Sequence, residues 1–405
     1  MRKWMLLLFC TVCLTGCHRY EPAPTPDELK ASKEALKAEQ ADETVTATAA
    51  EARKALPEKT RVKVKGIYVS AHVAGTKSMM DEIISHIDET EINAVVIDVK
   101  EDEGRVTYAM DVPLVTETEA SVNYISDLPG LIGKLKAHGI YVIGRVVAFR
   151  DPYLAEVKPE WSLKTKDGKT YRDSQGLAWI DPYRREVWDY LAQIGEAAAE
   201  DGFDEIQFDY IRFSAGKGME DVVIPEEETE GLSRTDIITD FTRYARERLE
   251  PKGVFVSADV FGTIIGSDGD AGIIGQNYKA MAGGLDYICP MIYPSHYGDG
   301  NFGLDHPDLH PYETIAGALK GSRRILEGTP SEATLSAAFA SGETSVIVRP
   351  WLQDFTASYL EHHIEYGPEE VRKQIQAVYD SGYEEWLLWD AKCTYTWDGL
   401  LPAGE

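Results

Sequence analysis

The chain has 405 residues, 43% apolar and 27% charged, the composition of an ordinary globular protein. Its net charge of −27 argues against a nucleic-acid binder, which needs a basic face, and against an anionic membrane surface as an electrostatic partner. The length accommodates two or three average domains, or one α/β barrel with extensions.

Met1-Arg2-Lys3 is a short basic start, and the apolar run from Trp4 to Leu14 is too short to span a bilayer. Leu14-Thr15-Gly16-Cys17 follows with the pattern of a bacterial lipobox. The expectation is a signal peptide over 1–16, lipid on Cys17, and a protein anchored to a bacterial membrane and facing outside the cytoplasm. Residues 17–60 carry three closely spaced prolines and then an Ala, Glu and Lys-rich run without a dockable apolar stripe, which predicts a flexible or partly helical tether. Cys10 and Cys13 leave with the signal; Cys289 and Cys393 remain and read as free, buried thiols.

From Lys65 onward strand and helix patterns alternate. Strands are predicted at 65–72, 92–104, 139–149, 203–213, 253–261, 286–293, 345–352 and 385–391. Helices are predicted between them, including 78–91, 122–138, 182–201 with Asp181 as N-cap, 235–249 and 368–381. Eight apolar runs, each followed by helical sequence, predict a parallel sheet covered on both faces and closed as a (β/α)8 TIM barrel over 61–405, with long βα loops.

In such a barrel every carboxyl strand end opens on one mouth. The fourth run, GFDEIQFDYIRF, places Asp209 inside an aromatic and β-branched strand, with Arg212 three residues on as an available partner. The fifth, VSADVFG, places Asp259 correspondingly. Adjacent strands lie about 4.8 Å apart, so the two carboxyls can approach the separation of about 5–5.5 Å used by retaining glycosidases. Asp209 and Asp259 are the expected catalytic pair, with Asp98 and Asp390 in reserve. His72, Asp98, Arg145, Arg212, Tyr293, His296, Trp351, Trp389 and Asp390 are the expected substrate-binding residues. Aromatics after strand three (Tyr153, Trp161, Tyr171, Trp179) and after strands six to eight (Tyr297, Tyr395 and Trp397 among them) suit the apolar faces of sugar rings.

No dinucleotide fingerprint, nucleophile elbow or phosphate-cradling loop is present, so no cofactor is expected. His306 and His310 have metal-ligand spacing, but Pro307 spoils the helix that would align them, and no metal site is expected. Two other readings remain open: a non-catalytic carbohydrate-binding barrel on the same lipid anchor, and a metal-dependent hydrolase.

KGIYVSAH, INAVVIDVKEDEG, AWIDPYRREVWDYL, GFDEIQFDYIRF, SADVFG and DYICPMIYPSHY together resemble a family of bacterial secreted or lipid-anchored glycoside hydrolases with a TIM-barrel domain. The resemblance covers about Val64 to Gly399. FDYIRF and IDPYRREV are similar to wider glycoside-hydrolase-like barrels, in which an Asp ending the fourth strand is the nucleophile. That implies Asp209 here, with Asp259 where α-amylase-type barrels carry a Glu acid/base. The function so implied is hydrolysis of an oligo- or polysaccharide in the cell envelope.

Overall fold

The computed structural model of the chain describes residues 59–327 and 346–404. The expected signal peptide, Cys17 and nearly all of the expected tether lie outside the described residues.

The buried apolar runs form strands β1 (Lys65–Val69), β2 (Ala94–Lys100), β3 (Tyr141–Val147), β4 (Glu205–Asp209), β5 (Phe255–Phe261), β6 (Tyr287–Met291), β7 (Ile347–Val348), β8 (Trp351–Gln353) and β9 (Trp386–Trp389). All pair in parallel, and β1 bonds to both β2 and β9 while β5 bonds to both β4 and β6, so the sheet closes on itself. β7 and β8 are one strand broken at Arg349-Pro350, because Pro350 has no N–H for the ladder. Counting them as one position gives eight strands with helices between them, a (β/α)8 barrel.

Side chains alternate across the barrel wall. Val95, Ile97 and Val99 of β2 pack outward with the helices, whereas Ala94 and Val96 join Tyr68, Ile143, Tyr287, Cys289 and Leu387 inside. The lower interior is closed by a buried ionic triad. Arg349 donates to Glu205 (2.8 Å) and Glu385 (2.9 Å), and its guanidinium lies 3.9 Å from the centre of the Tyr287 ring. Three charges so deep in a barrel are tolerable because each is paired. Arg349 therefore belongs to the barrel floor and not to its mouth. At the top of β2 the register slips between Asp98 and Lys100, a bulge that accompanies two different pairings. Asp98 pairs with Arg145, and Lys100 pairs with Asp151 (2.8 Å) while donating to the Val147 carbonyl.

Several boundaries differ from expectation. β1 stops at Val69, and His72 falls in the short helix Ala71–Gly75 capped by Ser70. The helix expected at 122–138 is confined to Leu128–Ala137, capped by Asp127, and a short helix, Pro113–Glu117, precedes it. The one before β4 begins at Arg185 with Arg184 as N-cap. Asp181 instead accepts the Tyr183 N–H (3.0 Å) in a turn ahead of it. Both remaining thiols are free, with Cys289 buried and Cys393 partly so.

Candidate active site

Arg145, on β3, is the hub of the mouth. It points inward two residues before Val147, which is in register with Asp209 of β4. Its Nε and Nη2 both donate to Asp209 Oδ2 (2.9 and 2.6 Å), and its Nη1 donates to Asp98 Oδ1 (2.7 Å). It also reaches Asp102 at 3.3 Å, and Asp102 in turn pairs with Arg150. Tyr68 donates to the second Asp98 oxygen at 2.6 Å. Burial pushes the Asp98 carboxyl up to about 6 against the opposing charge of Arg145. Burial works the same way on Asp102, but Arg145 and Arg150 outweigh it and hold that carboxyl below its ordinary value.

Asp259, on β5, carries the opposite perturbation. It is buried, and burial together with the negative charge of Asp209 raises its carboxyl well above the ordinary range; the Trp351 hydrogen bond and Arg145 only partly offset this. Trp351 Nε1 donates to Asp259 Oδ1 at 2.6 Å. Trp351 stands edge-on to Trp389 (5.8 Å), which in turn lies 4.3 Å from Tyr68.

These groups open on a cleft of about 400 Å³, lined by Asp209, Asp259, Arg145, Arg150, Arg212, Tyr210, Tyr293, Trp351 and Trp389, among others. Tyr210 has φ +52°, strained for a residue with a side chain. Its N–H bonds to Asp209 Oδ1 (2.6 Å), its carbonyl accepts from the Phe149 N–H (3.2 Å), and its ring lies 3.7 Å under the Arg150 guanidinium. The Tyr210 N–H in this geometry, with the Arg145 guanidinium on the other oxygen, holds the Asp209 carboxylate in place. An acid ion-paired to an arginine and a buried acid whose proton affinity is raised share one cleft, an arrangement suited to nucleophilic and general-acid work.

Of the expected residues, Asp209, Asp259, Arg145, Arg212, Tyr293, His296, Trp351 and Trp389 line the cleft, with His296 exposed at its rim. Three do not. His72 is exposed on its helix against Tyr124, at 4.0 Å between ring centres, because β1 ends before reaching it. Asp98 is buried behind Arg145, with both oxygens taken. Asp390 is buried and accepts the Thr394 N–H (2.8 Å), closing its own loop. Arg212 does not pair with Asp209; Arg145 does. Most of the loop aromatics are packing: Tyr171, Trp179 and Tyr395 are buried, and Tyr153 faces Arg105 at 4.1 Å. Arg150, Tyr210 and Phe261 line the cleft without having been singled out as site residues. Each adjoins a strand end already in view, and that adjacency was the available signal. His306 stacks on His362 at 3.9 Å and bonds Asp299. Among the described residues no group of three or more His, Cys, Asp or Glu is arranged to hold a metal ion.

Residues 66–395 match the family model described as "Putative glycosyl hydrolase domain". The chain belongs to this glycosyl hydrolase family. A hypothetical protein from Ruminiclostridium thermocellum is 38% identical over 48% of this chain and 97% of its own, with a TM-score of 0.45. The glycoside hydrolase domain of PgaB (BpsB) from Bordetella bronchiseptica is 12% identical over 82% of this chain and 95% of its own, with a TM-score of 0.57. The β-galactosidase of Marinomonas ef1 is likewise 12% identical over 81% of this chain and 54% of its own, at 0.53. At that identity the last two show a shared fold. No curated protein matches the chain.

Proposed function

We propose that the chain hydrolyses glycosidic bonds of an oligo- or polysaccharide with retention of configuration, Asp209 acting as nucleophile and Asp259 as acid/base. The observation that carries this is the pair itself: Asp209 ion-paired to Arg145, and Asp259 with its carboxyl raised by burial and by the charge of Asp209, on one aromatic-lined cleft. In the first half-reaction a carboxylate oxygen of Asp209 bonds to the anomeric carbon. The bond to the leaving oxygen breaks, and that oxygen takes the Asp259 proton. Esterification removes the negative charge of Asp209, which lowers the affinity of Asp259 for a proton. Asp259 can then deprotonate the water that releases the sugar and restores both acids.

The test is turnover by Asp209→Asn and Asp259→Asn on a panel of aryl glycosides and oligosaccharides. The expected loss is about 10²–10⁴-fold, with circular dichroism unchanged. Wild-type turnover by Asp209→Asn overturns the assignment. Proton NMR of the first-formed anomer separates retention from inversion. One observation favours a second reading: both Asp209 oxygens already accept hydrogen bonds, from Arg145 and from Tyr210 N–H, as in a sugar-binding barrel without turnover. Glycan binding by wild type with no hydrolysis across the panel would select it.

The same proposal anchors the protein in the cell envelope through lipid on Cys17, supported by the basic start, the short apolar run and Leu14-Thr15-Gly16-Cys17. Wild type should incorporate an alkyne fatty acid and pellet with membranes. Cys17→Ser should do neither, and labelling of that variant refutes the anchor.

A further inference from the structure

The cations of the cleft are not equally engaged. Arg145 is neutralised by Asp98, Asp102 and Asp209, and Arg150 by Asp102. Arg212 is different. It is 8% exposed and lines the cleft, yet among the described residues no carboxylate lies within ion-pair distance of it. Its single hydrogen bond runs from Nη1 to the carbonyl of its neighbour Phe213 (3.0 Å). A guanidinium carries five N–H donors, so protein groups take up little of its capacity, and none of its nitrogens is sealed from solvent without a partner.

Three rings surround the group: Phe261 at 4.5 Å, and Trp179 and Tyr210 at 4.9 Å. Aromatic faces stabilise a cation through the ring quadrupole, but they do not accept its in-plane donors. Burying a charge without a partner acid costs stability, and burial lowers the Arg212 guanidinium to about 10, which leaves it cationic at neutral pH. An aromatic-walled cation with its fork open, on the loop that follows Asp209, is arranged to receive an oxyanion.

We infer that Arg212 binds an anionic substituent on the sugar, a carboxylate or a sulfate ester, in the subsite beside Asp209, so that the ligand is an acidic glycan. The inference rests on the proposed function in taking a sugar as the ligand. The planar fork matches a carboxylate best, which makes a uronate the favoured source. A chain of net charge −27 would repel an acidic polymer over most of its surface. Selectivity would then fall on this one local cation.

The test uses the full chain with Asp259→Asn, titrated against oligosaccharide pairs that differ only in charge. These are uronate oligomers with their carboxyl-reduced counterparts, and sulfated oligomers with their desulfated ones. The expected result is at least tenfold tighter binding of the charged member of one pair, weakened by added salt. The pair that responds identifies carboxylate or sulfate. Adding Arg212→Gln should abolish the preference, and Arg212→Lys, which keeps the charge and loses the fork, should retain part of it. Equal binding of charged and neutral members, no binding of either, or a preference that survives Arg212→Gln overturns the inference. The wild-type comparison decides even if a variant fails to fold. Acidic-glycan binding without hydrolysis by the unmutated chain would sink the hydrolase reading and leave this one standing. Hydrolysis of neutral glycans alone would do the reverse.

Discussion

Asp209 and Arg212 sit three positions apart in the sequence, yet they do not pair. The strand ends at Asp209, and beyond the turn at Tyr210 Arg212 lies among the rings of Trp179, Tyr210 and Phe261. The partner of Asp209 comes instead from the next strand, 64 residues earlier. Asp259 depends just as much on a distant neighbour, Trp351, whose indole N–H favours the ionised carboxylate. Trp351→Phe removes that donor, so the Asp259 carboxyl rises further. If Asp259 is the general acid, its protonated form then persists to higher pH, and the alkaline limb of the kcat/KM profile should move to higher pH. A limb that stays in place or moves to lower pH would show that Asp259 is not the group titrating there.

The strands were legible as elements because buried parallel strands read as apolar β-branched runs, and each expected run contains strand in the structure. Their ends were not. The first run was expected to continue to His72, but β1 pairs with β2 only as far as Val69 and with β9 only as far as Ile67. The seventh strand breaks where Pro350 follows Arg349, a position the apolar pattern runs straight through. SADVFG was legible as an acid before a glycine, and the structure supplies the reason for Gly262. A Cβ there would stand 2.7 Å from the Met291 carbonyl oxygen and would also meet Tyr297 Oη. The clash is with backbone on the neighbouring strand and cannot be relieved by a rotamer. Gly262→Ala should therefore cost about 1–3 kcal/mol in urea unfolding. Gly266→Ala, where nothing stands within 4 Å of a new Cβ, should be near neutral. Equal effects at the two sites would show that the β5–β6 contact is not the constraint.

At the scale of the whole molecule, closing the barrel buries acids on many elements. Asp98, Asp181 and Asp354 are each raised to about 6, in every case chiefly by burial. A carboxyl whose folded value lies above its unfolded one binds its proton more tightly in the fold. Its contribution to stability is full below the ordinary 3.8 and is lost as pH rises through about 6. For Asp354, which accepts the Thr396 N–H and hydroxyl, the rise corresponds to ~3 kcal/mol. Glu91, held low by Lys65 and Arg372 against its burial, works in the opposite sense as pH falls, so the comparison with a variant isolates the effect. Relative to wild type, Asp354→Asn should gain ~3 kcal/mol in urea unfolding between about pH 4 and about pH 7. A constant difference across that window refutes the assignment. The sequence by itself determined the strand–helix alternation, the eight-unit count and the acids and aromatics at strand ends, because these follow from local apolar period and composition. Only the tertiary structure decided which acid meets which base, that His72 and Asp390 stand apart from the cleft, and that Arg212 is left without an acid. Those outcomes depend on inter-strand register and on closure of the sheet, which join residues as distant as Asp259 and Trp351, 92 positions apart, and no local pattern encodes them.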